Sequence, residues 1–152
     1  MSEKPLKRHK ALQPLSREHH HGLLLSWKIR AGFSKNIEPE RIKIYADWFF
    51  KTHLMPHFEM EEQYVFSVLE PNNELVKKAL ADHKLLRRLF ADDDIEMALS
   101  KIEEVLDKHI RFEERILFPE IQKVATELQL IEIEKIHQET DFLDKLDDEF
   151  WK

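Results

Sequence analysis

Two ten-residue stretches repeat one pattern, and this repeat constrains the fold more than any other feature of the chain. Residues 57–66 read HFEMEEQYVF, and residues 109–118 read HIRFEERILF. The two stretches share a histidine, two consecutive glutamates and a phenylalanine at equal offsets: His57 and His109, Glu61 and Glu113, Glu62 and Glu114, Phe66 and Phe118. A histidine and a glutamate four residues apart lie on one face of a helix, one turn from each other. This spacing lets both side chains bind one metal ion.

A single HxxxE pattern would favour an ordinary amphipathic helix whose charged residues face water. Here the pattern occurs twice, and the neighbouring residues on the same helical face are apolar. The recurrence therefore favours a metal site over a solvated surface.

The composition indicates a helical domain. A chain of 152 residues fits one domain with a substantial core. It contains only two glycines, too few for the many turns of an all-β fold, and 36% charged residues. We expect an N-terminal arm over residues 1–14, lying on the surface, and one domain over residues 15–152.

Charge and residue usage exclude several functional classes. The net charge of −6 argues against nucleic acid as a partner, because phosphate binding needs a basic surface. The absence of cysteine excludes disulfides, iron–sulfur clusters and thiolate nucleophiles. The basic N-terminus has no apolar signal region, and the longest aliphatic run, residues 23–25, is too short to span a bilayer. We therefore predict a cytoplasmic protein without a membrane partner.

Apolar periodicity and capping residues predict four long helices and a fifth segment. The predicted bounds are residues 16–33 with Ser16 as N-cap, about 39–70 with a bend at Pro56, 74–90, 94–118 where Pro119 bends or ends the helix, and 127–146. Aromatic residues at the C-terminus should cover a hydrophobic seam. The fold class predicted is all-α, an antiparallel up-down-up-down four-helix bundle with an additional C-terminal helical segment.

Histidines on the other two helices complete a ligand set. The chain contains nine histidines, and imidazole is the commonest metal ligand. The third helix carries His83, whereas the first carries three consecutive histidines at residues 19–21. We favour His20 as the inward residue, because it precedes Leu23 by three and Trp27 by seven, with His19 as the alternative.

The predicted ligands are four histidines and two glutamates: His20 (or His19), His57, Glu61, His83, His109 and Glu113. Four nitrogens and two carboxylates suit two iron ions about 3.5–4 Å apart, with each glutamate bridging them. Burying two carboxylates without a cation would cost several kcal/mol for each carboxylate, so we expect the metal to stabilise this arrangement. Zinc or manganese would also fit these ligands.

Four stretches carry a resemblance to a known family: LSREHH, HFEMEE, ADHKLLRRL and HIRFEERILFPEI. In spacing, order and helical phase they resemble the hemerythrin-like HHE cation-binding domain family, from Leu15 to about Ile121. The resemblance implies a non-haem centre of two iron ions of the Fe–O–Fe type. It also implies that the centre meets dioxygen, nitric oxide or peroxide.

The chain departs from the oxygen-carrying hemerythrins at two positions. They have a second histidine four residues after the third-helix ligand, where this chain has Arg87. Their fourth-helix carboxylate is an aspartate five residues after the histidine, where this chain has Glu114, and here Glu113 has the ligand spacing. The pattern is closer to the HHE branch linked to iron sensing and repair of nitrosative damage.

The predicted ligand set and the family resemblance are compatible with three functions. The first is a di-iron protein that binds dioxygen or a related small ligand in sensing, scavenging or iron handling, without being a dedicated enzyme. The second is a di-iron oxidoreductase, such as a peroxidase, an oxidase or a nitric oxide reductase or repair-type enzyme. The third is a helical interaction module with a vestigial site.

Six further residues have predicted roles outside the ligand set. Glu62 and Glu114 suit either the surface or hydrogen bonds to the ligating histidines. His53 should cap the site or face a helix interface without binding metal. Tyr64 should face inward just beyond the metals, and His137, like His9, should lie on the surface.

Overall fold

The computed structural model describes residues 7–137 and 141–152, and among them it contains helices and no strand. The all-helical prediction is confirmed. The α-helices are α1 (Gln13–Ser34), α2 (Pro39–Phe49), α3 (Met55–Met60), α4 (Glu74–Phe90), α5 (Ile95–Phe112), α6 (Phe118–Val124) and α7 (Glu127–Ile136). Three π-helical turns (Phe50–Leu54, Glu61–Val65, Glu113–Leu117) and a 3₁₀ turn (Phe66–Val68) join some of them into longer rods.

Helix α1 begins earlier than predicted. Pro14 stands in its first turn, where a missing N–H leaves no hydrogen bond unmade, and Leu12 provides the N-cap position without a side-chain bond. Ser16 is therefore not the cap. Its hydroxyl instead donates a 2.8 Å hydrogen bond to Glu114 Oε2.

Both proline-containing rods stay helical through the proline. A π turn precedes Pro56 and another precedes Pro119. Each proline falls in the first turn of the α-helix that follows, α3 or α6. The π turn lies where the missing proline N–H would disrupt regular α-helical bonding, and the rod continues past Pro119 to Val124, so Pro119 does not end it.

Helix α4 has the predicted bounds, and its cap is clear. The side chain of Asn73 accepts hydrogen bonds from the backbone N–H groups of Leu75 and Val76, at 2.9 and 3.3 Å. Asp94 caps α5 in the same way, accepting from Met97 N at 3.3 Å. Short polar residues at both N-caps thus fix where the two helices begin.

The C-terminal segment differs from the prediction. Helix α7 ends at Ile136, and residues 141–152 form no helix, so the predicted extension to residue 146 is wrong where the chain is described. The part of that extension at residues 138–140 lies outside the described residues. Phe150 and Trp151 are buried in the core, as expected of aromatics that cover a seam.

Two apolar clusters flank a polar layer. One contains Leu25, Ile29, Ile42 and Phe49, and the other contains Leu12, Leu15, Val65, Leu117 and Phe118. Along α1 the buried His19 lies between Leu15 of one cluster and Leu25 of the other. Helix α5 packs against α1, α2 and α4, and α3 continues the rod that begins with α2, so the helices that carry His19, His57, His83 and His109 come together between the clusters.

The end of the N-terminal arm is packed against the domain. Ala11 and Leu12 are fully buried, and Arg8 donates a 2.6 Å hydrogen bond to the backbone oxygen of Glu114. The prediction of a surface arm is therefore wrong for these residues, while residues 1–6 lie outside the described part. None of the described helices is both long enough and apolar enough to cross a membrane.

Candidate metal centre

Six ionisable side chains meet in the polar layer, and all are at most 4% exposed. They are His19, His57, Glu61, His83, His109 and Glu113. Helices α1, α3, α4 and α5 each supply one histidine, and the π turns that follow α3 and α5 supply the glutamates. The structure thus places together five of the predicted ligands and the alternative first-helix histidine.

The six side chains form two overlapping groups whose ligand atoms lie within 4.8 Å of one another. One group is His19, His57, Glu61 and Glu113, and the other is Glu61, His83, His109 and Glu113. The two groups share both glutamates and no histidine. Each group has the residue types and the spacing that could hold a metal ion.

Each glutamate contacts a histidine of both groups. Glu61 Oε1 lies 3.3 Å from the Nε2 atoms of His57 and His83. Glu113 Oε1 lies 3.1 Å from His19 Nε2 and 3.0 Å from His109 Nε2. The glutamates therefore stand between the two histidine pairs.

The outward nitrogen of every histidine in the centre is bonded to a carboxylate. Glu114 bonds His19 Nδ1 at 2.8 Å, Glu18 bonds His57 Nδ1 at 2.6 Å, Glu62 bonds His83 Nδ1 at 2.7 Å and Asp82 bonds His109 Nδ1 at 3.0 Å. Ionised carboxylates only accept hydrogen bonds, so each Nδ1 carries the proton. All four Nε2 atoms then point into the centre, as metal-binding imidazoles require.

These four bonds form a closed ring around the bundle of helices. Glu18 of α1 holds the histidine of α3, and Glu62, just after α3, holds the histidine of α4. Asp82 of α4 holds the histidine of α5, and Glu114, just after α5, holds the histidine of α1. Every histidine is thus oriented by a carboxylate from a different helical rod.

The outer carboxylates have partners of their own. Arg87 pairs with Glu62, Lys78 pairs with Asp82 at 3.0 Å, and His137 bonds Glu18 at 2.8 Å. Glu114 accepts from Ser16, and Arg8 lies 3.7 Å from it. This third layer keeps the carboxylates ionised and fixed, which in turn fixes the histidine rings.

The two π turns begin at the central glutamates. Glu61 is the first residue of Glu61–Val65, and Glu113 is the first residue of Glu113–Leu117. At each turn the first glutamate points into the centre and the next one bonds a histidine of another helix. The wider π turn, common at functional sites, lets two consecutive glutamates serve two layers of one site.

The surrounding charges shift the pKa values of His57 and His109 upward. Burial alone lowers the pKa of His57, but the Glu61 charge and the hydrogen bond to Glu18 outweigh it and raise the pKa to about 9. Burial likewise opposes the Glu113 charge and the Asp82 bond at His109, whose pKa is also raised to about 9. The electrostatic potential of the centre is thus negative enough to attract cations, either protons or a metal ion.

Partner contacts around His19 act in the same direction. Burial lowers its pKa, whereas hydrogen bonds to Glu113 and Glu114 raise it well above the ordinary value. For Glu61, burial raises the pKa, but the facing His57 charge lowers it well below the usual range. Glu61 is therefore an anion in the folded protein.

Two observations show that the residues fit a metal. Both oxygens of Glu61 and Oε2 of Glu113 are buried and accept no hydrogen bond from the described residues. The Nε2 atoms of His19 and His57 lie 3.0 Å apart, and those of His83 and His109 lie 3.1 Å apart. Two Nε2 atoms at this distance either share one proton or face a common cation, and buried carboxylates need a cation as well. The site therefore suits metal ions.

The preference for His20 over His19 is wrong. His19 is 3% exposed and inside the centre, whereas His20 is exposed. The buried face of α1 includes Leu15, His19, Gly22, Ser26 and Ile29. Its small residues allow close packing against α5: a Cβ at Gly22 would lie 2.6 Å from Ile110 Cδ1. The prediction used Leu23 and Trp27 as the inward markers, but Trp27 is 49% exposed.

The prediction for Tyr64 is also wrong, since this side chain is 39% exposed. The π turn that begins at Glu61 has more residues per turn than an α-helix. Positions after Glu61 are therefore rotated away from the phase that a regular helix would give. Val65 and Phe66 take the inward positions instead.

Two site residues were not identified from the sequence, Glu18 and Asp82. Each is an acidic residue directly before a histidine of the centre, in Glu18-His19 and Asp82-His83. This shared acid–histidine pair is the sequence feature that could have identified both residues.

His137, predicted on the surface, is half-buried and bonds Glu18. His53 packs against Trp48, Phe49 and Phe142.

The surroundings of the two histidine pairs differ. Phe58 stacks on His83 with ring centroids 3.8 Å apart, and Phe66 lies 5.5 Å from the same ring. By contrast, a cavity of about 160 Å³ borders His19 and His57. A small molecule therefore has room beside the His19–His57 pair.

Comparisons of the chain with protein-family models, with curated proteins and with solved structures found no match.

Proposed function

We propose that this protein is a non-haem di-iron protein that binds dioxygen or a related small ligand, nitric oxide or peroxide. Its role would lie in sensing, scavenging or iron handling. The observation that carries the proposal is the pair of four-residue groups that share Glu61 and Glu113. Two shared carboxylates and two separate histidine pairs serve two ions better than one.

The ligand chemistry favours iron. Each group offers two imidazoles and two carboxylates, a mixture of nitrogen and oxygen donors that suits iron and leaves zinc or manganese as substitutes. Two bound iron ions would supply redox chemistry that the side chains lack. The chain's own part would be to hold six donor groups in place and to offset part of the positive charge of the ions with two carboxylates.

The outer carboxylates support a preorganised site. Because Glu18, Glu62, Asp82 and Glu114 each bond one Nδ1 atom, the four Nε2 atoms are aimed inward before any ion is present. Such outer bonds raise the basicity of metal-binding histidines and restrict their rotation.

We further propose that the chain is a member of the hemerythrin-like HHE family, with its helices in an antiparallel four-helix bundle. The support is the residue pattern together with the packing of α1, α2 and α4 around α5. We do not propose reversible oxygen carriage. Arg87, at the position of a carrier's additional histidine, is paired with Glu62.

The alternative function is a di-iron oxidoreductase. The cavity beside His19 and His57 favours it, because a volume of about 160 Å³ exceeds what a diatomic ligand needs. Phe58 and Phe66 cover the His83 side, so any ligand would approach from the His19–His57 side.

Metal analysis tests the proposal. Protein purified after iron-supplemented expression should contain about two iron ions per chain, and His57→Ala or Glu113→Ala should remove metal. Less than one metal ion per chain in the wild-type protein would contradict the di-metal assignment and favour a vestigial site.

Exposure of the reduced protein to air separates the two functions. A visible absorption band that appears with oxygen and disappears on its removal supports a binding protein. Repeated turnover of peroxide or nitric oxide supports an enzyme.

A further inference from the structure

The cavity beside the centre has polar groups that the metal site does not use. Two histidines outside the ligand set, His21 and His53, line it. His21 Nδ1 and His53 Nε2 are buried, and neither has a hydrogen-bond partner among the described residues. A buried polar atom without a partner is costly, so these two nitrogens indicate a missing hydrogen-bonding guest.

The rest of the lining is largely aromatic and aliphatic. Phe142 stacks on His21 with centroids 3.9 Å apart and lies 4.6 Å from the His53 ring. Phe49, Leu54 and Ile110 add apolar surface. Flat rings on several sides favour a flat guest, since aromatic pairs prefer stacked or edge-to-face contacts.

Size and charge narrow the class of guest. A cavity of about 160 Å³ is close to the roughly 150 Å³ that holds a benzene ring. The charged lining residues, Arg17, Glu18 and Asp141, have both signs. The cavity thus selects neither anions nor cations.

We propose that this cavity binds a small uncharged aromatic molecule with one hydroxyl group, of the phenol class. The ring would lie among Phe49, Phe142 and Leu54, and the hydroxyl would bond the free nitrogen of His53 or His21. The guest would then lie next to His19 and His57. Its relevance as a substrate rests on the proposed function, whereas its binding does not.

Fluorine NMR of two matched probes tests the proposal. 4-Fluorophenol and fluorobenzene are titrated into zinc-loaded protein, whose metal content is measured, and into metal-free protein. Both should bind, with 4-fluorophenol about three- to tenfold tighter, the equivalent of one neutral hydrogen bond. His53→Phe or His21→Phe should remove this preference while fluorobenzene still binds, which shows that the cavity is intact.

His20→Phe is the control, because it makes the same change at an exposed position of α1, next to His21. It should leave both affinities unchanged. Failure of both probes to bind overturns the proposal. Equal binding of the two probes also overturns the proposal. The proposal fails as well if 4-fluorophenol binds more tightly only in zinc-loaded protein and this preference persists in both histidine variants. If no metal binds but the preference remains, the di-metal function fails and this inference stands.

Discussion

Arg87 donates two hydrogen bonds to Glu62, from Nη1 to Oε2 at 2.8 Å and from Nη2 to Oε1 at 3.1 Å. Glu62 also bonds His83 Nδ1. Burial raises the pKa of Glu62, but the bonds from His83 and Arg87 outweigh it and lower the pKa to about 2. Arg87 thus holds an orienting carboxylate and provides no metal ligand.

Breaking this outer pair should weaken metal binding without removing a ligand. We expect Glu62→Gln to lower zinc affinity about 10–100-fold, the usual effect of losing an outer carboxylate. Arg87→Leu should have a smaller effect in the same direction. Titration against a competing chelator measures both affinities. Arg88→Leu, at an exposed neighbouring position, is the control, and an equal loss there would rule out a role for the pair.

Neighbouring histidines of α1 offer a matched test of the ligand assignment. His19→Ala should lose metal, whereas His20→Ala should keep it, because only His19 is inside the centre. Ligand binding to the folded state contributes about 2.7 kcal/mol when metal is at 100 times its Kd. Losing it should lower the Tm by about 5–10 °C, as followed by calorimetry in the presence of zinc.

His53→Ala provides a second comparison for this assignment. It should retain metal, since His53 belongs to neither four-residue group. Metal loss in His53→Ala equal to that in His19→Ala would contradict the ligand set.

Metal binding should release protons at neutral pH. His57 and His109 have pKa values of about 9 in the metal-free protein, so metal must displace their protons below that pH. Two Nε2 protons cannot fit between atoms 3.0 Å apart, so His19 and His57 share one proton. Filling both sites at pH 7 should release roughly two protons, one from each pair, and far fewer above pH 10. Calorimetric titration in buffers of different ionisation enthalpy counts them.

The same pKa values predict opposite pH trends with and without metal. A pKa raised from about 6.5 to about 9 stabilises the metal-free fold below pH 6.5, and this stability is lost as the pH rises through 9. The Tm of metal-free protein should therefore fall between pH 6.5 and pH 9. The Tm of zinc-loaded protein should hold or rise over this range, and parallel curves would contradict the assignment.

Gly32→Ala should destabilise the protein although alanine favours helices. The new Cβ would lie 2.7 Å from Ile42 Cδ1 and 3.0 Å from Phe150 Cε2, both buried. Overpacking costs about 1–3 kcal/mol, against a helix gain of about 1 kcal/mol. Ile42→Val removes the closest atom, Cδ1. In the Ile42→Val protein, Gly32→Ala should therefore destabilise the fold less than it does in the wild-type protein. Urea denaturation measures all four proteins, and no recovery would place the strain elsewhere.

Local patterns predicted much of the fold. The bounds of α4 were predicted because Asn73 and the two residues before it mark a clear turn and cap. His57, Glu61, His109 and Glu113 were found because their spacing repeats. The extension of the last helix to residue 146 was wrong, since residues 141–152 pack through aromatics without helical hydrogen bonds.

The remaining features depend on contacts between helices. His19 could not be separated from His20 by periodicity, because the inward face of α1 is marked by Gly22 and Ser26 and not by large apolar residues. The π turns leave no clear mark in the sequence, so Tyr64 was placed on the wrong face. Glu18 and Asp82 act on histidines of other helices, which only the tertiary structure reveals.

Sharing of the two glutamates has a consequence for how the centre would fill. The first half of the chain carries His19, His57 and Glu61, and the second half carries His83, His109 and Glu113. Two histidines and one carboxylate are already a sufficient set for a mononuclear iron site. Under the proposed function, each half can therefore capture an ion without the other half's histidines. Because both groups share Glu61 and Glu113, an ion in either group would meet both carboxylates, so the two halves would not load independently.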